Sequence, residues 1–74
     1  MEIIGKTKVS ILSLLSGTRL HGYEIAKRLS LPITGIYQHL KDLKKAGFTE
    51  SKLNGRKKEY YLTERGKKLL ELVK

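Results

Sequence analysis

The chain contains no cysteine and no tryptophan, a single proline, and only seven acidic residues against sixteen lysines and arginines. Without cysteine there can be neither a disulfide nor a thiolate ligand. The two histidines, His21 and His39, stand far apart and do not make a structural zinc site. No cofactor or metal is expected. No apolar run is long enough to cross a bilayer, so a membrane-spanning role is not expected. Met1–Gly5 lacks the charged start and apolar core of a signal peptide, and a cytoplasmic protein is the expectation. There is no cysteine nucleophile, no histidine with a visible carboxylate partner and no glycine-rich phosphate loop. Ser10, Ser13 and Ser16 lie on or beside a helix and suggest nothing beyond it. The chain is therefore read as not an enzyme.

What is present is positive charge. The formal net charge is +9 and the pI about 10.0. In so small a domain this argues for an anionic partner, such as DNA, RNA, an anionic surface or an acidic protein, and says nothing about fold. Seventy-four residues make one domain, here 1–74, with a small core and a thin stability margin. With disulfides excluded, association of helices into a homodimer is the expected source of further stability.

Apolar spacing predicts the elements. Ile4, Lys8, Ile11, Leu12 and Leu15 fall at helical intervals, giving a first helix from about Gly5 or Lys6 to Leu15 or Ser16, stopped by Gly17. Thr18-Arg19-Leu20 reads as a short extended piece. His21-Gly22-Tyr23 opens a second helix with Gly22, Ile25, Ala26 and Leu29 inside and Glu24, Lys27 and Arg28 outside. It ends near Ser30, because Pro32 disfavours helix at Leu31. A third helix runs from about Ile33 to Ala46, with Ile33, Ile36, Leu40 and Leu43 on one face and Gly47 closing it. No side chain at Pro32 or Ile33 can cap its start.

Phe48–Leu53 and Lys57–Leu62 read as two strands. Asn54-Gly55 between them is a strong hairpin signal, because both residues accept positive φ. Arg56, Lys57 and Lys58 crowd onto this turn, where neighbouring cations repel one another and a polyanion would relieve the repulsion. Thr63 can cap a last helix, Glu64 favours its positive end, and Leu69, Leu70 and Val73 are its apolar residues. The expected fold is α+β, mainly α: a winged helix-turn-helix of three helices, a short β-hairpin wing and a C-terminal helix. Tyr60, Leu62 and Phe48 would pack the hairpin onto the helices, since a lone hairpin is marginal in water.

Leu20-His21-Gly22-Tyr23-Glu24-Ile25-Ala26, with Ile36-Tyr37, Leu40, Leu43, Gly47 and Phe48 downstream, resembles PadR-type winged-helix transcriptional regulators. Tyr60, Leu62-Thr63 and Gly66 match the end of the wing in that family, an ending shared with MarR-type and ArsR-type regulators. The resemblance covers most of residues 11 to 70. It implies a homodimer that binds operator DNA and often represses transcription, with Ile33–Ala46 as the recognition helix and Asn54–Lys58 as the wing. Relatives of this type usually continue into long C-terminal dimerisation helices. The sequence ends at Lys74, so a minimal member without them is expected. Thr49 departs from the family in replacing an apolar residue.

A helix in the major groove presents its outward, N-terminal residues to base edges. Here these are Thr34, Gly35, Gln38 and Lys41, with Lys44, Lys45 and Lys52 extending the basic surface. Gln38 can pair bidentately with adenine, Lys41 can donate to guanine or phosphate, and Thr34 offers a hydroxyl and a methyl. Gly35 either lets the nucleic-acid backbone come close or serves a close helix crossing. Tyr37 either packs or carries its hydroxyl to a phosphate. Tyr23 is read as core or as a phosphate contact. His21 is read as a helix-start residue, and His39 as a solvent-side residue of the third helix. In the wing, Asn54 shapes the turn, Arg56 suits a narrow minor groove, and Lys57 and Lys58 suit flanking phosphates. The expected partner is double-stranded DNA. The alternatives are a protein-interaction winged helix of the transcription machinery and a nonspecific nucleic-acid-binding protein.

Overall fold

Among the described residues, four helices and three strands follow in the order α1 (Lys6–Leu14), β1 (Leu20–His21), α2 (Gly22–Leu29), α3 (Ile33–Lys45), β2 (Thr49–Asn54), β3 (Lys57–Leu62) and α4 (Glu64–Val73). The computed structural model describes residues 5–73; Ile4, which opens the apolar spacing of the first helix above, lies outside the described residues.

Each helix ends where local chemistry stops it. After α1, Gly17 adopts φ +86°. After α2, Ser30 takes the left-handed conformation at φ 55°, so that its N–H reaches the Lys27 carbonyl at 3.3 Å and the Leu31 N–H reaches Ala26 at 3.0 Å. A non-glycine residue there costs about 1 kcal/mol, offset by carbonyls that would otherwise lack partners. After α3, Gly47 at φ +84° donates to Lys44, and Phe48 donates to Leu43 at 2.9 Å. That crossed pair is a Schellman cap. The start of α3 has no side-chain cap at Pro32, as the sequence implies.

The sheet differs from the expected two-stranded hairpin. Its order is β1-β3-β2, all antiparallel, with β3 in the centre. The short strand lies at Leu20–His21 rather than Thr18–Leu20, because Leu20 and His21 pair with Tyr60 and Glu59. The first hairpin strand begins at Thr49, because the Phe48 N–H is already committed to the end of α3. The turn is also displaced by one residue. Asn54 pairs with Lys57, which leaves Gly55-Arg56 as the two-residue loop. Gly55 has φ +67° and Arg56 does not take positive φ. Glycine at the first central position is the type II′ requirement, whereas an Asn-Gly turn would need positive φ at both central residues.

One core joins all four helices to β1 and β3: Ile11, Leu12 and Leu15; Leu20; Ile25 and Ala26; Ile36, Leu40 and Leu43; Tyr60 and Leu62; Leu69 and Leu70. Each large aliphatic here contributes about 1.5–3 kcal/mol by burial. Ile33, expected on the inner face, is 38 % exposed and opens onto a shallow hollow beside Tyr23, Ala26 and Leu31. Leu69 and Leu70 are consumed by the chain's own core, so a dimer cannot use them. The arrangement is a winged helix-turn-helix.

Thr63 ties the hairpin base to two helices. Its hydroxyl donates to the Gly47 carbonyl at 2.6 Å and accepts the Gly66 N–H at 3.0 Å. Its own N–H bonds the Phe48 carbonyl at 3.1 Å. Gly66 passes so close to that carbonyl that any Cβ would overlap it.

Two stability predictions come from this junction. Gly66→Ala is expected to destabilise by about 2 kcal/mol in urea unfolding, reversing the gain of about 1 kcal/mol that helix propensity alone would give. Thr49 is 1 % exposed and its hydroxyl has no hydrogen-bond partner among the described residues. Thr49→Val keeps the shape and removes the unsatisfied hydroxyl, so it should stabilise by about 1 kcal/mol; a lower unfolding midpoint would contradict the packing described.

Candidate nucleic-acid interface

The outward stripe of α3 is Thr34, Gly35, Gln38, Lys41 and Lys45, all exposed. A Cβ on Gly35 would meet nothing within 4 Å, which removes the close-helix-crossing reading for that glycine. The Gln38 amide nitrogen lies 3.4 Å from Asp42 Oδ1, one turn along. One amide hydrogen is thereby engaged, while the other and the carbonyl remain available for a bidentate contact. Asp42 is held from behind by Lys8 of α1, at 3.5 Å. Lys8 also donates to His39 Nδ1 at 3.0 Å. His39 is therefore half-buried against α1, not on the solvent side expected of it. A lysine ammonium only donates, so Nδ1 is the acceptor in this contact.

Tyr37 packs on α2 and also keeps a large exposed surface. Its ring packs on α2 so closely that a Cβ on Gly22 would come 2.6 Å from its Cε1. It is nonetheless 47 % exposed. Gly22 is thus a close-approach glycine that sets how tightly α2 and α3 cross.

The wing carries Asn54, Arg56, Lys57 and Lys58, all exposed. Between the wing and α2 lies a groove of about 1040 Å3, lined by Tyr23, Lys27 and Arg28 of α2, Tyr37 of α3, and Arg56, Lys57, Lys58 and Tyr60 of the hairpin. Tyr23, read as core or as a phosphate contact, is 64 % exposed, so it is not core. Lys27 and Arg28 were passed over in the sequence as a solvated face. Their signal was the i, i+4 spacing of Tyr23–Lys27 and Glu24–Arg28, but only the strand pairing of β1 brings that face opposite the wing.

Among the described residues, none of Lys41, Lys45, Arg56, Lys57 and Lys58 has an acidic partner within salt-bridge distance. Lys44 differs. It bonds Ser51 at 3.2 Å and Glu50 at 3.5 Å, bracing α3 against β2. Burial pushes the Tyr60 hydroxyl above the ordinary tyrosine value, and the neighbouring Tyr37 phenol adds to the shift. Tyr60 thus stays protonated, and a hydrogen-bond donor, throughout the physiological range.

This combination of fold and site defines the winged helix-turn-helix class. Within it, the chain belongs to the PadR-like family of transcriptional regulators, whose model matches residues 11–72. Its solved structural relatives include the adhesin competence repressor AdcR from Streptococcus pyogenes, 26 % identical with a TM-score of 0.90, covering 96 % of this chain and 54 % of that one. HlyU from Vibrio cholerae, in its reduced form, is 26 % identical with a TM-score of 0.84, covering 93 % of this chain and 74 % of that one. RosR from H. salinarum shares the fold at 24 % identity, with a TM-score of 0.88, 97 % of this chain and 72 % of that one covered. The chain spans about half the length of AdcR. No protein of curated function matches it.

The Tyr60 shift has a sign. Because the folded state favours the neutral phenol, the stability it contributes is full below about pH 10 and is lost as pH rises through the raised folded value. Alkaline absorbance titration should show one tyrosine ionising above the others, and Tyr60→Phe should remove that step. Four tyrosines ionising together would contradict the burial.

Proposed function

We propose that this domain is a sequence-specific double-stranded DNA-binding transcriptional regulator, and a repressor. α3 enters the major groove, and the wing lies on phosphates or in the adjacent minor groove. The observation that carries this reading is the unneutralised charge of Arg56, Lys57 and Lys58, beside a recognition-type helix whose outward stripe is polar and free of bulk. Membership of a transcriptional-regulator family supports it. The name of the similar adhesin competence repressor supports the sign of regulation.

Thr34, Gln38 and Lys41 read bases, with Gln38 bidentate to adenine. Gly35 admits the DNA backbone closely. Tyr37 and Lys45 contact phosphates. Asn54 holds the turn, Arg56 enters the minor groove, and Lys57 and Lys58 neutralise flanking phosphates. The domain acts as a cytoplasmic homodimer on a palindromic site and catalyses no reaction. Leu72 of α4, 77 % exposed, is the apolar side chain that this helix leaves for a second copy. A dimer reading two successive major grooves sets half-sites about 10 base pairs apart.

Footprinting on surrounding genomic DNA at physiological salt should reveal a discrete protected site with two-fold symmetry. Gln38→Ala should narrow the operator-to-random affinity ratio about tenfold, in line with the 1–3 kcal/mol of a good bidentate contact, while nonspecific binding stays nearly unchanged. Equal loss on all sequences would point to a nonspecific nucleic-acid coater. Absence of any DNA binding would point to a protein-interaction role.

A further inference from the structure

Gln38 does not stand alone on the outward stripe of α3. Its amide nitrogen lies 3.4 Å from Asp42 Oδ1, and the other carboxylate oxygen, Oδ2, lies 3.5 Å from the ammonium of Lys8. Lys8 belongs to α1 and also donates to His39 Nδ1 at 3.0 Å. A chain of polar contacts thus runs from α1, through one carboxylate, to the side chain proposed to read a base. Its inner end is the better fixed. Lys8 is more buried than Asp42, and two acceptors of α3 hold its ammonium. With Lys8 drawn to His39 and to Oδ2, Oδ1 is left to Gln38.

This contact has a direction. A carboxylate only accepts, so the Gln38 amide must turn its nitrogen, not its oxygen, toward Asp42. Asp42 lies one turn further along α3, toward its C-terminus. The amide is therefore presented with its donor toward that end of the helix and its acceptor toward the other. Adenine also has a direction. Its N7 accepts and its N6 donates, and exchanging A·T for T·A reverses the order of the two across the major groove. For a helix docked in one orientation, an amide that turns freely matches either order. An amide whose nitrogen is held matches only one.

We infer that Asp42, braced by Lys8, is the positioning residue that fixes which way round the Gln38 amide meets its base pair, and so which strand must carry the adenine. The inference rests on the DNA-binding reading above and deepens it. Sequence choice then depends in part on a lysine of α1, on the side of α3 away from the bases. The second amide hydrogen and the amide oxygen of Gln38 stay free for the base itself.

The test uses the footprinted operator and the base pair whose substitution Gln38→Ala no longer senses. Affinity is measured with A·T, T·A or G·C at that pair. The unaltered protein should favour one order of adenine and thymine over the other by about tenfold. Asp42→Ala and Lys8→Met should each narrow that ratio about fivefold, while adenine on either strand stays favoured over G·C. The two variants change net charge in opposite directions, so a narrowing common to both does not come from general attraction to phosphates. Lys8→Arg keeps a donor for Asp42 and should restore the ratio. In the Gln38→Ala background neither substitution should have any further effect on it. Circular dichroism checks that each variant is folded.

If Gln38→Ala abolishes the preference and the Asp42 and Lys8 variants retain it, the positioning inference falls while the DNA-binding reading stands. A narrowing by Asp42→Ala that persists in the Gln38→Ala background makes Asp42 itself the base contact and also overturns the inference. Absence of any footprint removes the DNA-binding reading, and this inference with it.

Discussion

The hydroxyl of Thr63 is the contact on which the remaining geometry depends. It caps α4 by accepting the Gly66 N–H and ends α3 by donating to the Gly47 carbonyl, within the length of one side chain. Around it, Phe48 closes α3 with its N–H and receives the Thr63 N–H on its carbonyl. Gly66 gives the clearance. The base of the hairpin is therefore held mostly by backbone groups, which cannot change rotamer. The angle between α3 and the wing is fixed at the junction, not at the charged tip.

Much of this was legible. The apolar spacing of α2 and α3, the glycine after α3 and the Thr63-Glu64 start of α4 are local signals, and the structure follows them. What was not legible depended on partners remote in sequence. The turn register is one example. Asn54-Gly55 is locally the better turn, but it would shift the pairing by two residues and take Thr49 away from Leu62, which it faces in the observed register. β1, at two residues, is too short to carry a pattern. His39 looked solvent-facing because α1, which brings Lys8 to it, is thirty-one residues away.

The same remoteness explains why the candidate site was only half visible. Thr34, Gln38 and Lys41 announce themselves by helical spacing, and Arg56–Lys58 by crowding. Lys27 and Arg28 look like any solvated helix face until the pairing of Leu20 with Tyr60 sets α2 alongside β3. The acids tell a complementary story. Glu24, Asp42, Glu50 and Glu64 each sit beside a nearby cation or histidine. Such exposed pairs contribute about 1 kcal/mol at most. Their position matters more than their strength, because none of them reaches the wing tip.

The strand order β1-β3-β2 leaves β2 as an outer edge of the sheet. An unpaired edge is a template on which another chain can polymerise. Here that edge bears Glu50 and Lys52 and leads into a tip of three like charges, while the apolar residues of the sheet sit mainly on the shielded central strand. Two copies approaching wing to wing meet repulsion before any ladder can form. The residues that make the hairpin attractive to a polyanion thus also guard a very small, thinly cored protein against fibrillar self-association.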